Sequence, residues 1–279
     1  MIAPRKIKRK KEDTLTLPTL EQLDSLLEHP PKISREQQYE AQDLLFEAYD
    51  SRPEKAAGLL TRACQIDPMN IDIHLHMMEF FRLEPEEAVE ILLKLIQIGA
   101  KRLGSDRFKN DKGHFWPILE TRPYMKARAA LVGQFLKLGR IEEAIKEQEE
   151  MLELNPNDNQ GIRYDMLACC MAAGKLDKAR KLFEDFKETA FNVSFSWFHV
   201  LERYIAGDME GAKQALGKAR KQNRFMEPYL LGSVKPIENK ADMYTPGSAD
   251  EAGIHADMIV MAWSKYPEAV EWLKSQNPM

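Results

Sequence analysis

The chain has only three cysteines in 279 residues, Cys64, Cys169 and Cys170. They make no even set for a disulfide framework and fall on no metal-ligand spacing, so neither device is expected to hold the fold. A reducing, cytoplasmic compartment is the natural setting. No window approaches ~18 consecutive apolar residues, which excludes a helical membrane span. A net charge of −4 gives no general attraction to nucleic acid or anionic lipid. The basic N-terminus is not followed by an apolar stretch, so it does not read as a secretory signal. What remains is a chain with 44% hydrophobic and 30% charged residues and only 14 glycines. That balance suits a helix-rich protein with room for a sizeable core.

Residues 5–11 read RKIKRKK, six cations around one isoleucine. Such a run repels itself, and a disordered basic tail is expected over residues 1–18. Thr19 with Gln22 and Ser34 with Gln37 have the spacing of capping boxes, which open a short helix in 19–33 and a longer one from 34. From there apolar residues recur at helical spacing in pairs of segments. The first pair carries Ala41, Leu44, Leu45 and Ala48, then Ala56, Leu59, Leu60 and Ala63. The second has Ile73, Met77, Met78 and Phe81, then Ala88, Leu92, Leu95 and Ile96, with Pro85 opening its second helix and Gly99 near its end. His74 and His76, two apart, diverge on a helix and read as surface or groove residues rather than ligands.

Three further pairs occupy residues 124–225. Turn glycines fall at 139, 174 and 207, and small residues for close helix approach at Ala56, Ala88, Ala144, Ala179 and Ala212. The later spacings, 35 and 33, sit on the period of about 34 known for one helical repeat class. The single long gap, between Ala88 and Ala144, contains residues 101–123. That stretch mixes Phe108, His114, Phe115 and Trp116 with Arg107, Lys109, Lys112, Glu120 and Arg122, and is expected to be an irregular insertion, holding one short helix at most, with a functional role. Residues 226–279 read as a turn-rich loop followed by helices, from Ser248 and from Pro267, that cap the stack.

The spacing of Leu131, Phe135, Gly139, Ala144 and Pro156 resembles the tetratricopeptide repeat family. The resemblance implies an all-α fold, a right-handed α-α superhelix of about five helix pairs, that binds other proteins. Three blocks, GHFWPILETRPYMKAR, LNPNDNQGIRY and EPYLLGSVKPI with YTPGSADEA, are similar to bacterial tetratricopeptide proteins of unassigned function. The middle two blocks, LNPNDNQGIRY and EPYLLGSVKPI, are also similar to the repeat region of the suppressor of tumorigenicity seven family. One subclass of the superfamily holds chaperone C-termini in a clamp of Lys and Asn; here those positions carry Ala129, Ala130, Gly133 and Asp165, so that ligand is disfavoured.

If first helices line a concave groove, Arg128 and Arg163, with Arg122 just ahead of the third pair, are candidates to hold a carboxylate or phosphate by forked hydrogen bonds. His114, Trp116 and Tyr124 offer stacking surface, and Asn159 and Tyr164 lie in and after the loop that leaves the pair. The alternative is a self-contained network in which Glu120 pairs with Arg122 or Arg128, Asp158 caps a helix, and Phe115 with Trp116 pins the insertion. The expected function is a scaffold that binds a peptide or protein segment near residues 101–123, with no cofactor. Nucleic acid enters only through residues 5–11. An enzyme centred on His114 and Glu120 lacks a nucleophile, a phosphate loop or a metal set.

Overall fold

The structure, a computed structural model, describes residues 15–236 and 243–276. The basic run at 5–11 lies outside the described residues. Among the described residues there are fourteen α-helices and no strand. They divide into two compact units, Met1–Arg140 with Glu150–Asn157, and Ile141–Glu149 with Asp158–Met279.

In the first unit, α1 (Leu20–Glu28) and α2 (Arg35–Tyr49) both open on complete capping boxes, at Thr19 and Ser34. α3 (Pro53–Ile66) starts with proline at its first position, where the missing N–H has no intrahelical role. The buried stripes of α2 and α3 face each other, and Leu15 joins their core. The expected tail therefore ends earlier than residue 18, because Leu15 and Leu17 find apolar partners there.

α4 (Ile71–Met78) is a short helix that ends before Phe81. His74 sits in the core at 1% exposure, with Nε2 2.7 Å from the Pro68 carbonyl, and is not a surface or groove residue. Burial pushes its pKa down. α5 (Pro85–Asn110) runs far beyond Gly99, so the irregular segment is shorter than the expected 101–123. Gly104, at φ 74° and ψ 159°, breaks the helical path, and helix resumes for one further stretch. That glycine, with few apolar residues around it, hid the helix from a periodicity reading. Gly99 ends nothing: a Cβ there would meet Ile71 Cδ1 at 2.3 Å and Tyr124 Cδ2 at 3.1 Å, so it is a contact point for neighbouring helices. α6 (Arg122–Lys137) packs against both α5 and α4, and α1 packs against α5.

α7 (Ile141–Leu154) contributes residues to both units. The second unit continues with α8 (Ile162–Ala172), α9 (Leu176–Phe186), α10 (Val193–Ile205) and α11 (Met209–Gln222). The glycine turns share one geometry. Gly139, Gly174 and Gly207 have φ of 67°, 67° and 77°. In each, the glycine N–H and the next N–H reach back three and five residues, as in Arg140 to Phe135, Lys175 to Cys170 and Asp208 to Arg203. This Schellman closure needs a left-handed residue, which glycine adopts without a Cβ clash. The alanines at 56, 88, 144, 179 and 212 are all buried.

After α12 (Glu227–Leu230), α13 (Ala249–Trp263) packs on α8 and α10, the first helices of the fourth and fifth pairs, and α14 (Pro267–Ser275) packs on α10 and α13. α13 thus covers the face of two first helices, and α10, which both α13 and α14 touch, belongs to the last pair. Its apolar stripe, Ala252, Ala256, Ile259 and Trp263, is long enough to bury against both.

Candidate functional site

The segment between α5 and α6 is organised by Phe115. Its side chain is fully buried and its N–H donates to the Leu154 carbonyl at 3.0 Å. The rings of Phe108, Phe115 and Tyr124 stand 5.1–6.1 Å apart in tilted and edge-on contacts, a favourable arrangement for aromatic quadrupoles. Thr121 Oγ1 donates to the Phe115 and Ile118 carbonyls and closes the turn.

Around this cluster the expected site residues divide. His114 and Glu120 are exposed, and Trp116 is half-buried. Arg122 Nε donates to the Trp116 carbonyl at 2.8 Å, and its guanidinium lies 5.5 Å from that ring. Tyr124 and Arg128 are buried at 6% and 5% exposure. The Arg128 guanidinium meets Glu150, lies 5.5 Å from the Tyr124 ring and donates to the Tyr124 hydroxyl at 3.4 Å.

Arg163, Tyr164 and Asn159 belong to the second unit. Asn159 is exposed. Asp158, buried and at φ 46°, accepts from the N–H groups of Ile162 and Arg163 at 2.8 and 2.9 Å and so caps α8. Arg163 joins Asp158 and Glu188 at 2.9 Å each and stacks 4.2 Å over the Tyr164 ring. The Tyr164 hydroxyl donates to Glu188 at 2.9 Å, and burial together with Glu188 pushes its pKa up to about 12. Arg122, Arg128 and Arg163 thus each have partners within their own unit.

The first unit also contains a cleft of 630 Å³. Tyr49 at the end of α2, Asp72, Leu75 and His76 of α4, Ala88 and Leu92 of α5, and Lys126, Ala130, Gln134 and Lys137 of α6 line it. Lys126 pairs with Asp72 at 3.1 Å, and His76 Nδ1 with Glu79 at 2.8 Å. His76 Nε2 is buried without a hydrogen-bond partner, although its ring borders the cleft. The α6 residues follow helical spacing of four, four and three, so one outward stripe supplies them. Sequence reasoning looked for groove contacts among arginines and aromatics. The signal it passed over was this polar stripe beside the buried one.

Among the described residues, no group of three His, Cys, Asp or Glu side chains is placed to hold a metal ion, and no helix is long and apolar enough to cross a membrane. Cys169 and Cys170 are fully buried, and burial pushes both thiols up to about 12. Since the thiolate is the reactive form, both are expected to resist a disulfide-exchange reagent at pH 7.5 until the protein unfolds. Counting thiols in native and denaturing buffer checks this; rapid native reaction of more than Cys64 would contradict it.

No curated protein and no solved structure matched the chain. Residues 135–192, which run from the end of α6 through α9 and contain the first two glycine turns, match the tetratricopeptide repeat family.

Proposed function

We propose that this protein is a scaffold that binds a segment of a protein partner, and that the cleft of the first unit receives it. The observation that carries the reading is the cleft's composition. Apolar side chains from three helices form its floor, while Asp72, His76, Lys126, Gln134 and Lys137 supply convergent polar groups. The unpartnered His76 Nε2 is suited to a ligand hydrogen bond, since a buried polar atom left unsatisfied is costly. The repeat match supports the same class, because stacked helical repeats present extended binding faces.

This reading moves the emphasis from the residues first singled out. Arg128, Arg163, Tyr124 and Tyr164 are largely engaged with carboxylates and rings of their own units, whereas His114, Trp116, Glu120, Arg122 and Asn159 keep exposed surface for a secondary contact. A cytoplasmic setting accords with three unpaired thiols. The narrower resemblance to bacterial tetratricopeptide proteins and to the suppressor of tumorigenicity seven family adds no reaction or ligand.

Peptides selected from a random display library on the full chain test the cleft. Ala130→Trp places an indole into it from a half-buried position and is expected to weaken the selected peptides at least tenfold with the circular dichroism spectrum retained. Equal binding to a folded variant would remove the cleft from consideration.

A further inference from the structure

The inference concerns α2 and rests on the cleft being a peptide groove. α2 buries Ala41, Leu44, Leu45 and Ala48, and its opposite face carries Tyr39, Phe46 and Tyr49 at 70%, 57% and 48% exposure. Offsets of seven and three place the three rings on one stripe. Large aromatics this exposed, and in line, mark interaction surfaces more often than chance. The stripe is continuous with the cleft. Tyr49 lines it, the Tyr49 and His76 rings are 4.5 Å apart, and Phe80 follows 5.6 Å beyond His76.

Charge identifies what this face accepts. Residues 35–50 hold five carboxylates, Glu36, Glu40, Asp43, Glu47 and Asp50, against the single cation Arg35. Asp43 lies between Tyr39 and Phe46 on the same side of the helix, and Asp50 follows Tyr49 at the helix end. Among the described residues, Glu47 alone of these five has a cationic partner, Lys55 at 2.6 Å. Aromatic faces flanked by carboxylates attract Lys and Arg twice, through the ring quadrupole and through ion pairing. The same charges repel nucleic acid and anionic lipid. They also oppose a two-fold pairing of this face with itself, which would set carboxylates against carboxylates.

We propose that the α2 face docks a cationic segment of a partner protein, with Lys or Arg side chains over Tyr39, Phe46 and Tyr49 and apolar residues leading into the cleft. The test is fluorescence anisotropy on the full chain. The probes are a labelled 14-residue peptide of lysine and leucine at helical spacing and the same peptide with glutamate for every lysine. The lysine peptide is expected to bind and the glutamate peptide not to. Phe46→Ala, and Asp43→Lys combined with Asp50→Lys, are each expected to weaken binding at least tenfold, the melting curves showing that these exposed changes leave the fold intact.

Glu90→Lys combined with Glu184→Lys changes net charge equally at exposed sites elsewhere and is expected to leave binding within twofold. Equal loss in that control would reduce the effect to net charge and overturn the proposal, as would unchanged binding in the α2 variants. Binding that appears only once Lys8, Arg9, Lys10 and Lys11 are all changed to Gln would assign the face to the chain's own basic run, and would overturn it too. The two readings separate at Ala130→Trp. Library peptides lost there but indifferent to the α2 variants sink the cationic assignment and keep the cleft. Lysine-peptide binding lost in the α2 variants but untouched by Ala130→Trp keeps the α2 face and overturns the entry of the bound segment into the cleft.

Discussion

Trp263→Ala is expected to lower the stability of the second unit by about 3–5 kcal/mol, the range for truncating a fully buried aromatic. Trp263 is 1% exposed and meets the ring of Trp197 edge-on at 6.5 Å, while Trp197 Nε1 donates to the Asn223 carbonyl at 3.1 Å. Removing the indole takes apolar area from the core and leaves a cavity that α13, pinned at both ends, cannot collapse into. At its start Glu251 accepts from Asn223 Nδ2 and from the Gly247 N–H at 2.8 and 2.7 Å. Beyond its end Tyr266 donates to the Met171 carbonyl at 2.8 Å. Denaturant unfolding followed by circular dichroism reads the loss. The measurement also decides what α13 is. A helix laid over two first helices resembles an occupied groove, and a detachable lid would lose less than about 1 kcal/mol when its anchor is cut, far below a core truncation. A loss of several makes α13 part of the core and leaves the first unit as the place for ligands.

Asp158→Ala is expected to cost the same unit about 3 kcal/mol, combining a lost helix cap with the loss of one of the two carboxylates that hold a largely buried guanidinium. The carboxylate caps two N–H groups of α8 and holds Arg163, which is 17% exposed along its side chain and shared with Glu188. Glu188 remains in the variant, which keeps the loss at the low end for a broken buried pair. Alanine must also hold φ near 46°, a region that disfavours a Cβ. Asp158→Asn keeps an oxygen for the cap and tolerates that backbone, so it is expected to recover roughly half of the loss. If the alanine variant unfolds within 0.5 kcal/mol of the wild type, close to the noise of surface substitutions, the Asp158 contacts contribute nothing measurable to the stability of the unit.

Much of this fold is legible in the residues because its rules are local. Capping boxes at Thr19 and Ser34, prolines at the starts of α3, α5 and α14, and the turn glycines Gly139, Gly174 and Gly207 act within a few residues. Periodicity failed where the helical signal is interrupted without helix formation being lost, as at Gly104. It also failed for Gly99, which reads as a terminus only because a helix-end glycine and a close-contact glycine look alike in one dimension. The site was less legible. Arginine and aromatic side chains are the usual anchors of interfaces, but they serve equally in ion pairs within the fold: buried Arg128 meets the exposed Glu150, and Arg163 holds the buried Asp158 together with Glu188. Which of the two holds depends on a partner such as Glu150 or Glu188, more than twenty residues away.

What the sequence determined by itself is the repeating unit: two helices, their small contact residue and their glycine turn, all set by interactions within one period. Tertiary structure decided which faces stay open. α13 buries its apolar stripe over α8 and α10, while the outward stripes of α2 and α6 meet no such segment among the described residues. Exposure is a property of what the rest of the chain leaves uncovered, and no local pattern encodes it.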